Sequence, residues 1–198
     1  KMTIAVLGSS FDPAHNGHLT IVRNILKSGK INKIILMPVN IHPFSKKLTD
    51  SQLRLSMAKM LEGKSIEVSD LELKKNSTSY SIDTLQALQQ KFPEDKIYWI
   101  IGSDYLNSFT KWKDWQKILN DFGLIIVPRR SHLRGGASPA AHLGGENRKN
   151  IIILNSKDFP PLDISSSEIR KRVREKQSIS SLVPKDVENY IIQHRLYL

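Results

Sequence analysis

The chain has 198 residues, 39% of them hydrophobic and 25% charged, which is the composition of an ordinary globular protein of one domain. It carries 30 Lys and Arg against 19 Asp and Glu, so the formal net charge is +11 and an anionic partner is expected. No cysteine is present, which excludes disulfides, zinc–thiolate sites, iron–sulfur clusters and a cysteine nucleophile.

The sequence shows no targeting or membrane-spanning pattern. No apolar run approaches the roughly 20 residues needed to cross a bilayer, and the N-terminus lacks the charged-then-apolar order of a signal peptide. We therefore expect a soluble, cytoplasmic protein without a membrane partner. Lys1, which precedes Met2, is interpreted as a cloning remnant, so the expected domain covers residues 2–198.

Apolar runs of strand length alternate with helical patterns along the chain. Strands are predicted at residues 3–7, 33–37, 66–73, 97–101, 124–127 and 151–154. Helices are predicted at residues 19–28, 82–92, 105–120, 166–175 and 184–194. A further helix is predicted to start at a capping box formed by Thr49 and Gln52 and to end at Gly63. Unbroken apolar strands between helices indicate an α/β fold, a Rossmann-like doubly wound parallel sheet with C-terminal helices. The glycine-rich residues 131–150 are predicted to form a mobile loop.

The segment after the first strand carries the strongest chemical pattern, Gly8-Ser-Ser-Phe-Asp-Pro-Ala-His15-Asn-Gly-His18. Its small residues let backbone N–H groups approach an anion. His15 and His18 stand three residues apart where a helix begins, and the N-terminus of a helix favours phosphate. A lone histidine there would more often be a helix cap. A zinc site would need a third ligand that no regular spacing supplies, and the Gly-Lys-Ser/Thr ending of a P-loop is absent.

Five segments together resemble one enzyme family. Residues 8–18 are similar to the (H/T)xGH signature of the nucleotidylyltransferase superfamily, and residues 164–170, Ile-Ser-Ser-Ser-Glu-Ile-Arg, to its SSTxIR motif with Ser167 in place of Thr. Residues 79–85 resemble the SYTxDTL element of nicotinate-nucleotide adenylyltransferases, residues 101–106 the IGxDxL element, and residues 109–115 the helix that follows. The matches keep the family's order and extend over most of the chain.

The resemblance implies that ATP, with Mg²⁺, adenylylates nicotinate mononucleotide to deamido-NAD in NAD biosynthesis. It implies that His15, His18 and Arg170 stabilise phosphoryl charge. The residues expected to hold ATP are Gly8, Ser9, Ser10, Phe11, Gly102, Asp104, Ser166 and Ser167. Those expected to contact nicotinate mononucleotide are Asn40, Lys46, Tyr80, Ser81, Thr84, Trp112 and Arg129, with the tryptophan stacked on the pyridine ring. From the residues alone, Asp104 also suits a helix N-cap and Trp112 a core position.

The sequence departs from the family pattern after the second strand. The family carries a PNxxPPHK/R element there, but Phe44 and Ser45 stand where His and Lys or Arg are usual. Lys46 or Lys47, or Arg129 with Arg130, are the candidates to replace that contact with the mononucleotide phosphate. No residue is assigned as a metal ligand, and a homo-oligomer is left open.

Two alternatives to this function stay open at the level of sequence. Another adenylyltransferase of the superfamily would use nicotinamide mononucleotide or phosphopantetheine as acceptor. A basic nucleic-acid-binding domain is the more distant alternative, because the arginine clusters lack the aromatic pattern of an RNA-binding sheet. Nucleic acid is therefore not an expected partner.

Overall fold

The computed structural model describes residues 1–40, 48–75, 78, 80–128, 149–154 and 164–198. Within these ranges six strands form one sheet in which all neighbouring strands are parallel. The strands are β1 (Thr3–Ser9), β2 (Lys33–Pro38), β3 (Ile66–Val68), β4 (Lys96–Gly102), β5 (Leu124–Val127) and β6 (Ile151–Ile153). Their order is β3-β2-β1-β4-β5-β6, so the strand order reverses between β1 and β4. The predicted doubly wound α/β fold is confirmed.

Seven α-helices cover the sheet in the described ranges. They are α1 (Asn16–Lys27), α2 (Ser51–Lys59), α3 (Ser81–Lys91), α4 (Leu106–Phe109), α5 (Trp115–Asp121), α6 (Ser166–Arg174) and α7 (Lys185–Gln193), with a 3₁₀ turn at Ser103–Tyr105. None of the helices in this described part combines the length and apolarity that a bilayer crossing requires.

Two hydrophobic cores lie on opposite faces of the sheet. Side chains alternate along a strand, so Ala5 and Leu7 of β1 face one core and Ile4 and Val6 face the other. The first core is completed by α1, α2, α6 and α7, and the second by α3, α4 and α5. Burial on both faces explains why the strands are unbroken apolar runs in the sequence.

Two predicted elements are shorter than expected. The strand predicted at 66–73 ends at Val68, because the N–H of Ser69 makes the last bond to β2 and the chain then turns so that Glu72 is buried. The helix predicted at 105–120 is interrupted between α4 and α5. Asp114 has φ +50°, a left-handed conformation that an α-helix cannot contain.

The predicted capping box at the start of α2 is wrong by one residue. Asp50 is the N-cap, and its side chain accepts the N–H groups of Gln52 and Leu53. Thr49 instead uses its backbone for bonds to other parts of the fold, described below. The predicted mobile loop lies outside the described residues except for Lys149 and Asn150, and the amide of Asn150 donates to the Leu119 carbonyl at 3.0 Å.

Candidate active site

The candidate site lies where β1, β2 and β4 end, at one edge of the parallel sheet. The ends of β1 and β2 are joined, since the N–H of Val39 donates to the Ser9 carbonyl at 3.0 Å. β4 ends at Gly102 on the other side of β1, at the point where the strand order reverses. Ligands of doubly wound sheets bind beyond this edge.

His15 and His18 are packed together at the start of α1. His15 is the N-cap residue, both side chains are buried, and the rings stack with their centroids 3.8 Å apart. The backbone N–H of His15 donates to Nδ1 of His18 at 3.2 Å, which places the proton of the neutral His18 ring on Nε2. That Nε2 lies 3.1 Å from Oγ of Ser9. The His18 ring is thus oriented with a single N–H donor toward the end of β1.

Glycine is required sterically at two positions of this segment. A Cβ on Gly8 would lie 2.5 Å from the Trp99 indole, and one on Gly17 would lie 2.8 Å from the His15 ring. Gly8 therefore lets β4 pack against β1, in addition to any room it leaves for a ligand. Gly17 lets the His15 ring lie over the first turn of α1.

The second motif, at the start of α6, is in direct contact with the turn that precedes α1. Ser166 Oγ donates to the Pro13 carbonyl at 3.0 Å. Arg170 donates to the Asp12 carbonyl at 2.6 Å through Nη1 and to Ser167 Oγ at 3.1 Å through Nη2. The structure thus brings together two segments that lie about 150 residues apart in the sequence.

The side chain of Asp12 is buried and satisfied on both oxygens. Its Oδ1 accepts the Tyr197 hydroxyl at 2.7 Å, and its Oδ2 accepts the Thr49 N–H at 3.1 Å. Burial and the nearby Asp12 charge raise the pKa of the Tyr197 phenol well above its usual range. The phenol therefore remains a hydrogen-bond donor at all physiological pH values.

Arg54 is the largest fully buried side chain of the described residues and lies beneath the same turn. Its guanidinium donates to three carbonyl groups, each at 2.8 Å: Thr49 before α2, Ser10 after β1, and Val39 after β2. Burial lowers the pKa of Arg54, and the charges of Asp12 and Asp50 oppose that shift. Arg54 thus joins the ends of β1 and β2 to the start of α2.

The residues expected at the nicotinate end have different exposures. Tyr80 is exposed and Ser81 half-buried at the first turn of α3. Thr84 is buried, its hydroxyl donates to the Glu72 carboxylate at 2.6 Å, and its N–H donates to the Tyr80 carbonyl. The structure therefore places Thr84 behind the start of α3, in a supporting position, and corrects the expectation that it contacts substrate.

Trp112 lies in the turn between α4 and α5, close to the start of α3. Its half-buried ring packs against Phe109 with the centroids 5.4 Å apart. Its neighbour Lys113 forms a 3.0 Å ion pair with Asp83 of α3, and its Nζ lies 4.9 Å from the centre of the Tyr80 ring. The hydrogen bond to Asp83 raises the pKa of Lys113. The two segments expected at the nicotinate end are therefore neighbours.

The remaining predicted site residues are placed as follows. Gly102 closes β4 and is the N-cap of the 3₁₀ turn, so Asp104, which is exposed within that turn, is not a cap. Ser10 and Phe11 follow β1, with the Phe11 ring 4.7 Å from that of His18. The amide of Asn40 donates to the Lys75 carbonyl and ties the end of β2 to the turn after β3. Lys46 and Arg129, with the alternatives Lys47 and Arg130 and the divergent Phe44 and Ser45, lie outside the described residues.

The polar residues under the candidate site were not predicted from the sequence. Arg54 lies three and seven residues before the apolar Met57 and Leu61, so its helical spacing already placed it on the buried stripe of α2. A charged residue in such a stripe has to be paired with specific acceptors, and this was the available signal. Tyr197 carried no comparable signal. Among the described residues, no three histidine and acidic side chains are grouped so that they could hold a metal ion.

Comparison with known proteins decides the family. The cytidylyltransferase-like family matches residues 6–172. A protein of Carboxydothermus hydrogenoformans named "Probable nicotinate-nucleotide adenylyltransferase" is 33% identical over 98% of this chain and 97% of its own length. A protein of the same name from Buchnera aphidicola subsp. Schizaphis graminum is 35% identical over 100% and 97%. The chain belongs to the nicotinate-nucleotide adenylyltransferase family.

A solved structure agrees with this assignment at the level of the fold. The Plasmodium falciparum nicotinic acid mononucleotide adenylyltransferase complexed with NaAD superposes with a TM-score of 0.82 at 23% identity, over 100% of this chain and 98% of the other. The nicotinate-nucleotide adenylyltransferase family is a family of nucleotidyltransferases, so this chain is an enzyme of that class.

Proposed function

We propose that the chain transfers the adenylyl group of ATP to nicotinate mononucleotide, forming deamido-NAD and releasing pyrophosphate in NAD biosynthesis. One observation carries the proposal: Arg170 of the second motif donates to the carbonyl of Asp12, in the turn that leads to His15 and His18. Family membership supports it, since relatives that match the whole chain are named for this activity. Residues 2–198 act in this proposal as one nucleotidylyltransferase domain.

The reaction requires no covalent intermediate with the protein. A phosphate oxygen of nicotinate mononucleotide forms a bond to the α-phosphorus of ATP, and the bond from that phosphorus to the bridging oxygen of the β-phosphate breaks. Pyrophosphate leaves with the electron pair of the broken bond. The attacking phosphate is already ionised at neutral pH, so no general base is needed. The protein has to position two polyanions and offset their charge.

The two histidines and Arg170 supply the donors for this task. His18 presents the N–H of Nε2, because its Nδ1 is occupied by the His15 backbone. Arg170 presents a guanidinium whose position is fixed by Asp12 and Ser167. Fixed donors stabilise negative charge that builds up in a transition state, since they need no reorganisation when the charge appears. Ser166, the hydroxyl of Ser167 and the backbone of residues 8–11 complete the proposed ATP phosphate site, and Gly102 and Asp104 the ribose site.

Magnesium enters this proposal with ATP, as the MgATP substrate. The chain's most buried carboxylate near the turn, Asp12, is already bonded to Tyr197 and to the Thr49 backbone. Mg²⁺ prefers few protein carboxylates and binds mainly substrate phosphates and water in such sites. The metal would offset charge on the triphosphate, while this chain's own donors act on the transferred phosphoryl group.

The acceptor site is proposed at the start of α3 and the turn that holds Trp112. Tyr80 and Ser81 offer backbone N–H groups at the helix start, which suit a carboxylate better than an amide, and Trp112 offers its ring to the pyridine. We place the reaction in the cytoplasm, where ATP is available, without a nucleic-acid or membrane partner. A homo-oligomer is compatible with the reaction, which needs only one copy of the site.

The test is the release of pyrophosphate from MgATP with three acceptors in parallel. We expect turnover with nicotinate mononucleotide and at least 10-fold lower kcat/KM with nicotinamide mononucleotide and with phosphopantetheine. Equal turnover with phosphopantetheine would reject the acceptor assignment. Turnover with none of the three, combined with salt-sensitive binding of RNA, would favour the nucleic-acid-binding alternative.

A further inference from the structure

We propose that Tyr197 is a positioning residue: through the Asp12 carboxylate, the segment after α7 fixes the turn that aligns Arg170 with the histidine pair. The inference rests on the proposed function, because it assigns a role within the same site. Tyr197 lies 185 residues from Asp12 in the sequence, and its hydroxyl donates to Asp12 Oδ1 at 2.7 Å. No substrate contact is assigned to it.

The turn itself needs external support. Phe11 is fully buried and has φ +48°, a left-handed conformation that is costly for a residue with a large side chain. Such a conformation persists only where surrounding contacts determine it. Three polar groups next to Phe11 are bonded to distant elements: the Ser10 carbonyl to Arg54, the Asp12 carboxylate to Tyr197 and Thr49, and the Asp12 carbonyl to Arg170.

The segment after α7 is itself held firmly enough to act as an anchor. The N–H of Leu196 donates to the Ile191 carbonyl at 3.0 Å, and its side chain is buried in the first core. Arg195 and Tyr197 flank it with left-handed backbones, φ +49° and +65°. Because Leu196 is fixed in the core, the phenol of the next residue, Tyr197, is held at one position. The phenol remains protonated because burial raises its pKa.

Asp12 connects this anchor to the reacting groups. Its carboxylate accepts the phenol of Tyr197, while its own carbonyl, in the same residue, accepts Nη1 of Arg170 at 2.6 Å. Loss of the phenol hydrogen bond would let the Asp12 peptide rotate. Arg170 would then lose its fixed orientation relative to His18. We therefore expect the effect of Tyr197 to pass through Arg170 and to appear in kcat more than in KM.

The first test compares Tyr197→Phe with Tyr190→Phe. Y197F removes only the hydroxyl that contacts Asp12. Y190F removes the hydroxyl of a tyrosine in α7 whose ring stacks on His194. We expect kcat to fall about 10-fold in Y197F with KM for ATP within about 2-fold of wild type, and both constants to stay within about 2-fold in Y190F. A kcat of Y197F within 2-fold of wild type would overturn the inference.

The second test separates positioning from a general loss of structure. In an Arg170→Ala background, Y197F should lower kcat by less than about 2-fold, because the group it orients is gone. A full further 10-fold loss in that background would mean that Tyr197 acts independently of Arg170, contrary to the proposal. If Y197F unfolds, Asp12→Asn weakens the same hydrogen bond from the other side, and the same non-additivity with R170A is expected.

The third test does not depend on catalysis. Side-chain ¹⁵N–¹H spectra report the environment of each imidazole, and the signals of His15 and His18 should shift in Y197F, while Y190F should shift only that of His194. Unchanged His15 and His18 signals in Y197F would overturn the inference even if kcat fell. If wild-type protein adenylylates none of the acceptors, the proposed function fails, and these spectra still decide whether Tyr197 sets the turn.

Discussion

The imidazole of His18 shows how a single residue is prepared by its local backbone. Its Nδ1 accepts the N–H of His15, so the neutral ring can donate only through Nε2. The Phe11 ring contacts one side of it and the His15 ring another, which leaves little freedom of rotation. A buried donor with one tautomer and one orientation is suited to a charge that develops only in the transition state.

We predict that His18→Ala lowers kcat for deamido-NAD formation by about 100-fold or more, the effect expected for the loss of one preorganised donor. His194→Ala is the matched control, since His194 is an exposed histidine at the end of α7. Steady-state kinetics on both variants decide the matter. A loss of only a few-fold in H18A would make His18 a structural residue.

Gly17→Ala tests the placement of His15 without removing a polar group. The added Cβ would lie 2.8 Å from the His15 ring, so the ring has to move. We expect kcat to fall at least 10-fold, because small displacements of a catalytic group are costly. Gly63→Ala is the control, since a Cβ there would meet nothing within 4 Å. Equal rates for the two variants would show that the position of His15 has no influence on the reaction.

At this scale, the sequence identified residues with a local pattern and missed those defined by tertiary contacts. The spacing of His15 and His18 after a first strand pointed to a common site, and the structure places Arg170 beside the same turn. Thr84 resembled a substrate contact, but its burial against Glu72 depends on a turn that no periodicity signals. Tyr197 lies outside every motif. Its proposed role depends on a tertiary contact, since the segment after α7 lies beside Asp12.

The start of α2 illustrates how one side chain can set an element. Asp50 accepts two N–H groups of the first helical turn, from Gln52 and Leu53. We predict that Asp50→Ala lowers the free energy of unfolding by about 1 kcal/mol. Urea denaturation measures the free energy of unfolding. Glu94→Ala is the control, because Glu94 is an exposed residue between α3 and β4. If D50A and E94A were equally stable, the cap would contribute nothing.

The strands were easier to predict than the ends of elements. Buried strands of a parallel sheet are short, unbroken apolar runs, and β5 was predicted with the bounds that the structure has. β3 was predicted too long, since Leu71 and Leu73 continue the apolar pattern after the pairing with β2 has ended. The interruption at Asp114 was missed because a single left-handed residue leaves no trace in hydrophobic spacing.

At the scale of the whole molecule, the segment after α7 is connected to the end of β1 by the hydrogen bond from Tyr197 to Asp12. The alternation of strands and helices was sufficient to predict the doubly wound fold, and with it the sheet edge where the candidate site lies. It was insufficient to predict that the chain, after α7, returns to the end of β1. The apolar face of α7 predicts burial in a core but does not specify which turn the following residues contact.

The bond between Tyr197 and Asp12 predicts how global stability changes at alkaline pH. The pKa of Tyr197 is raised in the folded protein, by burial and then by the Asp12 charge, whereas an unfolded tyrosine titrates near pH ~10. The stabilisation is complete below that pH. At higher pH the unfolded chain releases the proton while the folded protein retains it, so stability falls, by up to about 1.4 kcal/mol per pH unit.

Urea denaturation at about pH 8 and about pH 11 measures this loss as a difference between variants, since all titrating groups other than the substituted tyrosine are common to them. Tyr197→Phe should be less stable than wild type at the lower pH, and the gap should close at the higher pH. Tyr190→Phe should keep the wild-type dependence, because it leaves the hydrogen bond between Tyr197 and Asp12 in place and changes only the tyrosine that stacks on His194. A gap between Y197F and wild type that stayed constant across this range would contradict the raised pKa, because the linkage between proton release and unfolding would then be missing.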